Sequence, residues 1–115
     1  MFNASNYVYV QKSRKMLAII LEFDVIPGKE DAFREAWKET TKYIHTNFGS
    51  LGSRLHRDEN GRFIAYAQWP DHETYKKEHD WSEEGIKCRE RMRATLKSEK
   101  VTVLHKLDVD IDLLE

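Results

Sequence analysis

The chain has 115 residues, 19 of them Lys or Arg and 20 Asp or Glu, so its formal charge is −1 with both signs mixed throughout. That balance creates no field to draw in nucleic acid or anionic lipid, and a chain this short suits one domain with little room for a large private cavity. The longest apolar stretch, Met16 to Leu21, falls far short of a membrane span, and the N-terminus lacks the apolar run of a secretory signal, so the expected location is cytoplasmic.

Residues 1–15 carry Asn, Ser and Lys/Arg around a brief "YVYV" and read as an N-terminal arm or edge strand; residues 16–115 read as the single domain. Leu17, Ile19, Leu21, Phe23 and Val25 alternate as a strand, apolar on both sides as far as Ile20, and Pro27-Gly28 ends it. Phe33, Ala36, Trp37, Thr40, Ile44 and Phe48 then form one helical stripe, with Glu30 and Asp31 at its positive end and Gly49 as its stop. "LGSRLHR" and "FIAYAQW" flank "DENG", whose Asn60-Gly61 pair suits a hairpin turn. Asp71 and Ser82 are suitable caps for two helices, the second with Ile86, Cys88, Met92, Thr95 and Leu96 inward. The lone Cys88 has no second thiol for a disulfide and reads as a small buried residue. His72, Glu78, His79 and Asp80 have no recognised ligand spacing, so no metal site is expected. From Val101 to Leu113 a last alternation predicts a long strand whose acidic end extends past the sheet.

Strand, helix, strand, strand, helix pair, strand is the α+β, ferredoxin-like βαββαβ order, an antiparallel sheet covered by helices on one face. The other face would carry Ala18, Ile20, Glu22, Arg54, His56, Ile64, Tyr66, Gln68, Leu104 and Lys106, too apolar to face water, so a homodimer joined sheet to sheet is expected, with Glu22 and Arg54 as paired charges.

"ILEFDVIPGKEDAFREAW" followed by "YAQWPDHETYKKEH" resembles the antibiotic biosynthesis monooxygenase family of dimeric α+β barrels, over roughly Met16 to Leu107. The resemblance implies a ligand pocket between sheet and helices near Phe23, Phe33, Trp37, Trp69, Tyr75, His79 and His105. It implies a dimer seam through Glu22, Arg54, His56, Tyr66 and Gln68. Members that cleave haem place an Asn, a Trp and a His near where this chain has Leu21, Glu78 and Cys88, none of which matches; His79 one residue from the Trp place and Trp81 three from it offer a partial set under a shifted alignment, which leaves haem degradation as the less favoured alternative. Members that form quinones without a cofactor use a Trp and a Tyr close after the third strand, which Trp69 and Tyr75 resemble in spacing; the amide found four residues before that Trp is replaced by Ala65.

The implied activity is a cofactor-independent monooxygenase or quinol oxidase acting on a small aromatic compound and molecular oxygen. A phenol of pKa ~10 must lose its proton near pH ~7, a penalty of about 3 units or ~4 kcal/mol, before its anion can reduce oxygen. In this reading His79 is the base, Tyr75 donates to the developing oxyanion, and Trp69 and Trp37 are walls, with Phe33, Phe23 and His105 beside the substrate. The competing reading makes the tryptophans core, His105 a neutral buried histidine, and the protein a non-catalytic dimeric module for a hydrophobic metabolite.

Overall fold

The computed structural model describes residues 16–114; the expected N-terminal arm, residues 1–15, lies outside them. The elements are β1 (Leu17–Phe23), α1 (Glu30–Phe48), β2 (Gly52–Arg57), β3 (Phe63–Trp69), α2 (His72–Lys76), α3 (Glu83–Arg93) and β4 (Thr102–Asp108). The sheet runs β2-β3-β1-β4 with every pair antiparallel, the ferredoxin-like α+β order.

Local chemistry sets the boundaries. Gly49 ends α1 in the left-handed region at φ 85°, where a Cβ would be strained. Asp71 accepts from Thr74 N at 2.7 Å and Ser82 from Gly85 N at 3.1 Å, capping α2 and α3 as their side chains suggest. In the hairpin only Gly61 of the Asn60-Gly61 pair takes a positive φ, 83°, and Asp58 Oδ1 gathers the amides of Asn60 and Arg62. Gly85 lets α3 approach α1, since a Cβ there would stand 2.4 Å from Tyr43 Cζ. Tyr43 secures the approach, donating to Ser82 Oγ at 3.0 Å and accepting from Ser82 N at 2.8 Å.

The helices cover the face of β1 and β3 on which Phe23 opposes Phe63, Leu21 opposes Ala65, Ile19 opposes Ala67 and Leu17 opposes Trp69. Two buried clusters form there. One centres on Phe33, fully buried between Phe23 (ring centroids 5.1 Å apart) and Phe63 (4.9 Å). The other joins Leu17, Ile19, Phe48, Ala67 and Trp69. The alanines of β3 leave room between the large rings at its two ends.

The last strand departs from the expectation in two ways. It ends at Asp108, not near Leu113; beyond it Ile111, Leu113 and Leu114 are 77%, 88% and 74% exposed. Its register against β1 also shifts between Ile20 and Leu21, where Leu104 is the extra residue. One inserted residue inverts the side-chain alternation. His105 and Leu107 therefore oppose Ile20 and Ala18 on the outer face, while Lys106 opposes Ile19 on the helix side. The expected positions of His105 and Lys106 are exchanged.

Within its own chain the Glu22 carboxylate takes Arg62 Nη1 at 2.7 Å. That hydrogen bond, with the charge of Glu22 behind it, raises the Arg62 pKa.

Candidate functional site

Between the helices and the sheet lies a cavity of about 230 Å³. Its floor is Ile19, Leu21 and Phe23 of β1 with Ala67 and Trp69 of β3; α1 roofs it with Trp37, Thr40, Thr41 and Ile44. Tyr75 of α2, Trp81 of the following turn, and Arg89, Met92 and Arg93 of α3 complete the wall with Val101, Ser50 and Ser53. A small chain can keep this space because its lining comes from both clusters, each of which is closed by its own large rings.

Most hydroxyls at the cavity are already spent on backbone. Thr40 Oγ1 donates to Ala36 O at 2.8 Å, Ser53 Oγ to Tyr66 O at 3.0 Å, and Ser50 Oγ accepts from Gly52 N at 3.0 Å. Tyr75 differs: its ring stands edge-on to Trp69 (5.5 Å, 70°) with Lys106 Nζ 5.6 Å from its centroid, and its hydroxyl forms no hydrogen bond among the described residues. Among the described residues it is a donor without an acceptor, beside an aromatic wall.

Of the residues expected at the site, Phe23, Trp37, Trp69 and Tyr75 meet around the cavity. Phe33 does not; it is core. His105 lies on the opposite face of the sheet, for the reason given by the bulge. His79 lies one ring further out than the cavity, stacked on Phe48 (4.3 Å) and on Trp69 (5.9 Å), and lines a separate polar depression with Asn47, Lys77, Glu78 and Asp80. Its Nε2 is buried without a hydrogen-bond partner among the described residues. Arg54, His56, Tyr66 and Gln68, expected at a dimer seam, stand on the outer face with Glu22, by register with β3.

The sequence reading missed Trp81, Arg89 and Arg93. A signal existed, because Arg89 falls three residues after Ile86 and three before Met92, interrupting the inward stripe of α3 with a charge. Arg89 Nε is buried with no hydrogen-bond partner among the described residues, and the guanidinium carbon stands 4.4 Å from the Trp81 ring centroid. Among the described residues no group of His, Cys, Asp and Glu could hold a metal ion, and no helix is long and apolar enough to cross a membrane.

A family model described as antibiotic biosynthesis monooxygenase matches residues 16–84. Similar solved structures include a Bordetella bronchiseptica protein provisionally named an antibiotic biosynthesis monooxygenase, at 19% identity and TM-score 0.70, covering 85% of this chain and 100% of that one. SnoaB, a cofactor-independent oxygenase from Streptomyces nogalater, in a single-substitution form, gives 16% identity and TM-score 0.67 over 88% of this chain and 99% of its own. Rv0793 from Mycobacterium tuberculosis gives 21% and 0.60 over 82% and 97%. Likeness at these identities is likeness of fold. No curated protein matches the sequence.

Proposed function

The chain belongs to the antibiotic biosynthesis monooxygenase family, and on that premise we propose that it oxidises a small phenolic or quinol compound with molecular oxygen, without a cofactor, inside the cavity between sheet and helices. The observation that carries this reading is the cavity itself: about 230 Å³, walled by Trp37, Trp69 and Trp81, with the Tyr75 hydroxyl bonded to nothing among the described residues. The fold shared with SnoaB, a cofactor-independent oxygenase, supports it.

The chemistry needs little from the protein beyond ionisation and enclosure. A neighbouring cation lowers a phenol's pKa by about 1–3 units, which offsets much of the ~3-unit penalty near pH ~7. Arg89 and Arg93, which line the cavity, supply that charge. The histidine expected as base stands behind Trp69, so His79 becomes a positioning residue that buttresses the wall. The phenolate then reduces oxygen directly. A quinol gives up two electrons and two protons to yield quinone and hydrogen peroxide; a phenol oxidised at a ring CH₂ or CH all the way to the carbonyl of a quinone takes one oxygen atom and releases the other as water, the substrate itself supplying all the electrons. Tyr75 donates to the oxyanion as it forms.

A second reading has one observation in its favour: no histidine or carboxylate among the described residues lines the cavity, which suits a module that binds a hydrophobic metabolite without turning it over. Oxygen uptake separates the two. Purified protein given naphthohydroquinones and naphthols is expected to consume oxygen above autoxidation, whereas a binding module would bind them and leave the rate at background.

The outer face supports a homodimer. Leu104 and Leu107 of β4 are 42% and 45% exposed beside Ile20, Ile64 and Tyr66, and two such faces packed together remove them from water. Light scattering at micromolar concentration is expected to give about twice the chain mass of 13.7 kDa. A stable particle of single-chain mass would refute the sheet-to-sheet dimer.

A further inference from the structure

We propose that the cavity selects aromatic acids, with Arg89 receiving a carboxylate on the ring system that the tryptophans hold. The inference rests on the cavity being the ligand seat and adds the class of ligand.

The chain treats its guanidinium groups unequally. Arg34 has Asp31 at 2.8 Å, Arg62 has Glu22 at 2.7 Å and Arg91 has Glu39 at 2.9 Å, all at least half exposed or close to it. Arg89, whose Nε is buried, has no carboxylate within salt-bridge distance among the described residues. A buried donor left without an acceptor is costly, so the Nε of this part-buried side chain gains from an acceptor brought into the cavity. Arg93, four residues further along α3, lines the same cavity from an exposed position, where water already compensates its charge, so Arg89 is the arginine that an acid group would serve.

Geometry favours the same answer. The guanidinium carbon stands over the Trp81 ring, 4.4 Å from its centroid, which holds the group beside the cavity before any ligand arrives. Such a fork matches a carboxylate in two parallel hydrogen bonds, which a phenol oxygen cannot reproduce. An apolar cavity of about 150 Å³ accommodates benzene, so about 230 Å³ suits a fused two-ring system whose acid group reaches the wall of α3.

Calorimetric titration with 6-hydroxy-2-naphthoate and with 2-naphthol at pH ~7.5 tests this without requiring turnover. The native protein is expected to bind the naphthoate roughly tenfold or more tightly than the naphthol, the scale of one charge-assisted pair. Arg89→Met, which keeps the apolar stem, should bring the ratio to near one by weakening the naphthoate alone. Arg89→Lys, which keeps the charge without the fork, should fall between and covers the case in which the methionine form does not fold. Equal affinities in the native protein, or a preference that survives both substitutions, would overturn the acid subsite while leaving the aromatic seat in place. Binding of neither compound would overturn both.

Discussion

Phe33→Ala is expected to remove about 3–5 kcal/mol of folding stability, the cost of emptying a fully buried phenylalanine site. Phe33 has no exposed surface and is gripped by Phe23 and Phe63 on its two sides, with Ala36, Met92 and Leu96 in the same cluster. Rings on a helix and on two strands cannot all close on the space an alanine leaves. Against a total stability of about 5–15 kcal/mol for a domain, the loss is large enough to read directly in urea unfolding. The same residue was a reasonable pocket wall from sequence, because a stripe position on α1 faces the sheet whether it meets a ligand or another ring. The two roles diverge in the remaining folded protein: a core Phe33 leaves ligand affinity unchanged. A loss below about 1 kcal/mol together with weakened binding would put it back at the cavity.

Tyr75→Phe has the opposite signature. The hydroxyl bonds nothing among the described residues, so its removal should leave the melting temperature unchanged, while the edge-on contact with Trp69 persists. Loss of one positioned donor to a developing oxyanion costs about 10²–10³-fold in kcat. The turnover of an accepted quinol should therefore fall by roughly 10²-fold with KM little altered, because the donor acts on charge that appears only during reaction. A variant that turns over as fast as the native protein would assign the Tyr75 hydroxyl to solvent and leave its ring as packing.

What was legible in the sequence followed from period and punctuation. The stripe from Phe33 to Phe48, the stop at Gly49 and the caps Asp71 and Ser82 each rest on interactions within a few residues, and each is present in the fold. The walls Trp37, Trp69, Tyr75 and Phe23 were legible once family resemblance joined the pattern. The errors came from events that period cannot register. A bulge at Leu104 adds one residue without changing composition, and everything after it, His105 included, changes face. His79 is close to Trp69 in sequence and in space, yet it lines a separate depression and not the cavity; adjacency did not reveal which side it would take. Arg89 was passed over because a charge on an amphipathic helix is usually at the solvent side, and here the stripe bends around it.

The central claim is that an aromatic compound is oxidised in the cavity, and oxygen uptake by a pair of proteins tests it most directly. One is the native chain, treated with chelator and given a naphthohydroquinone with no flavin, nicotinamide or metal. The other carries Ala67→Leu, whose longer side chain grows from the floor of β3 into the cavity space. The account predicts uptake proportional to native protein and a rate near autoxidation for the filled variant at an undiminished melting temperature. Equal uptake by the two folded proteins would place the reaction elsewhere, and background uptake by the native chain across the quinol panel would contradict the oxidation itself.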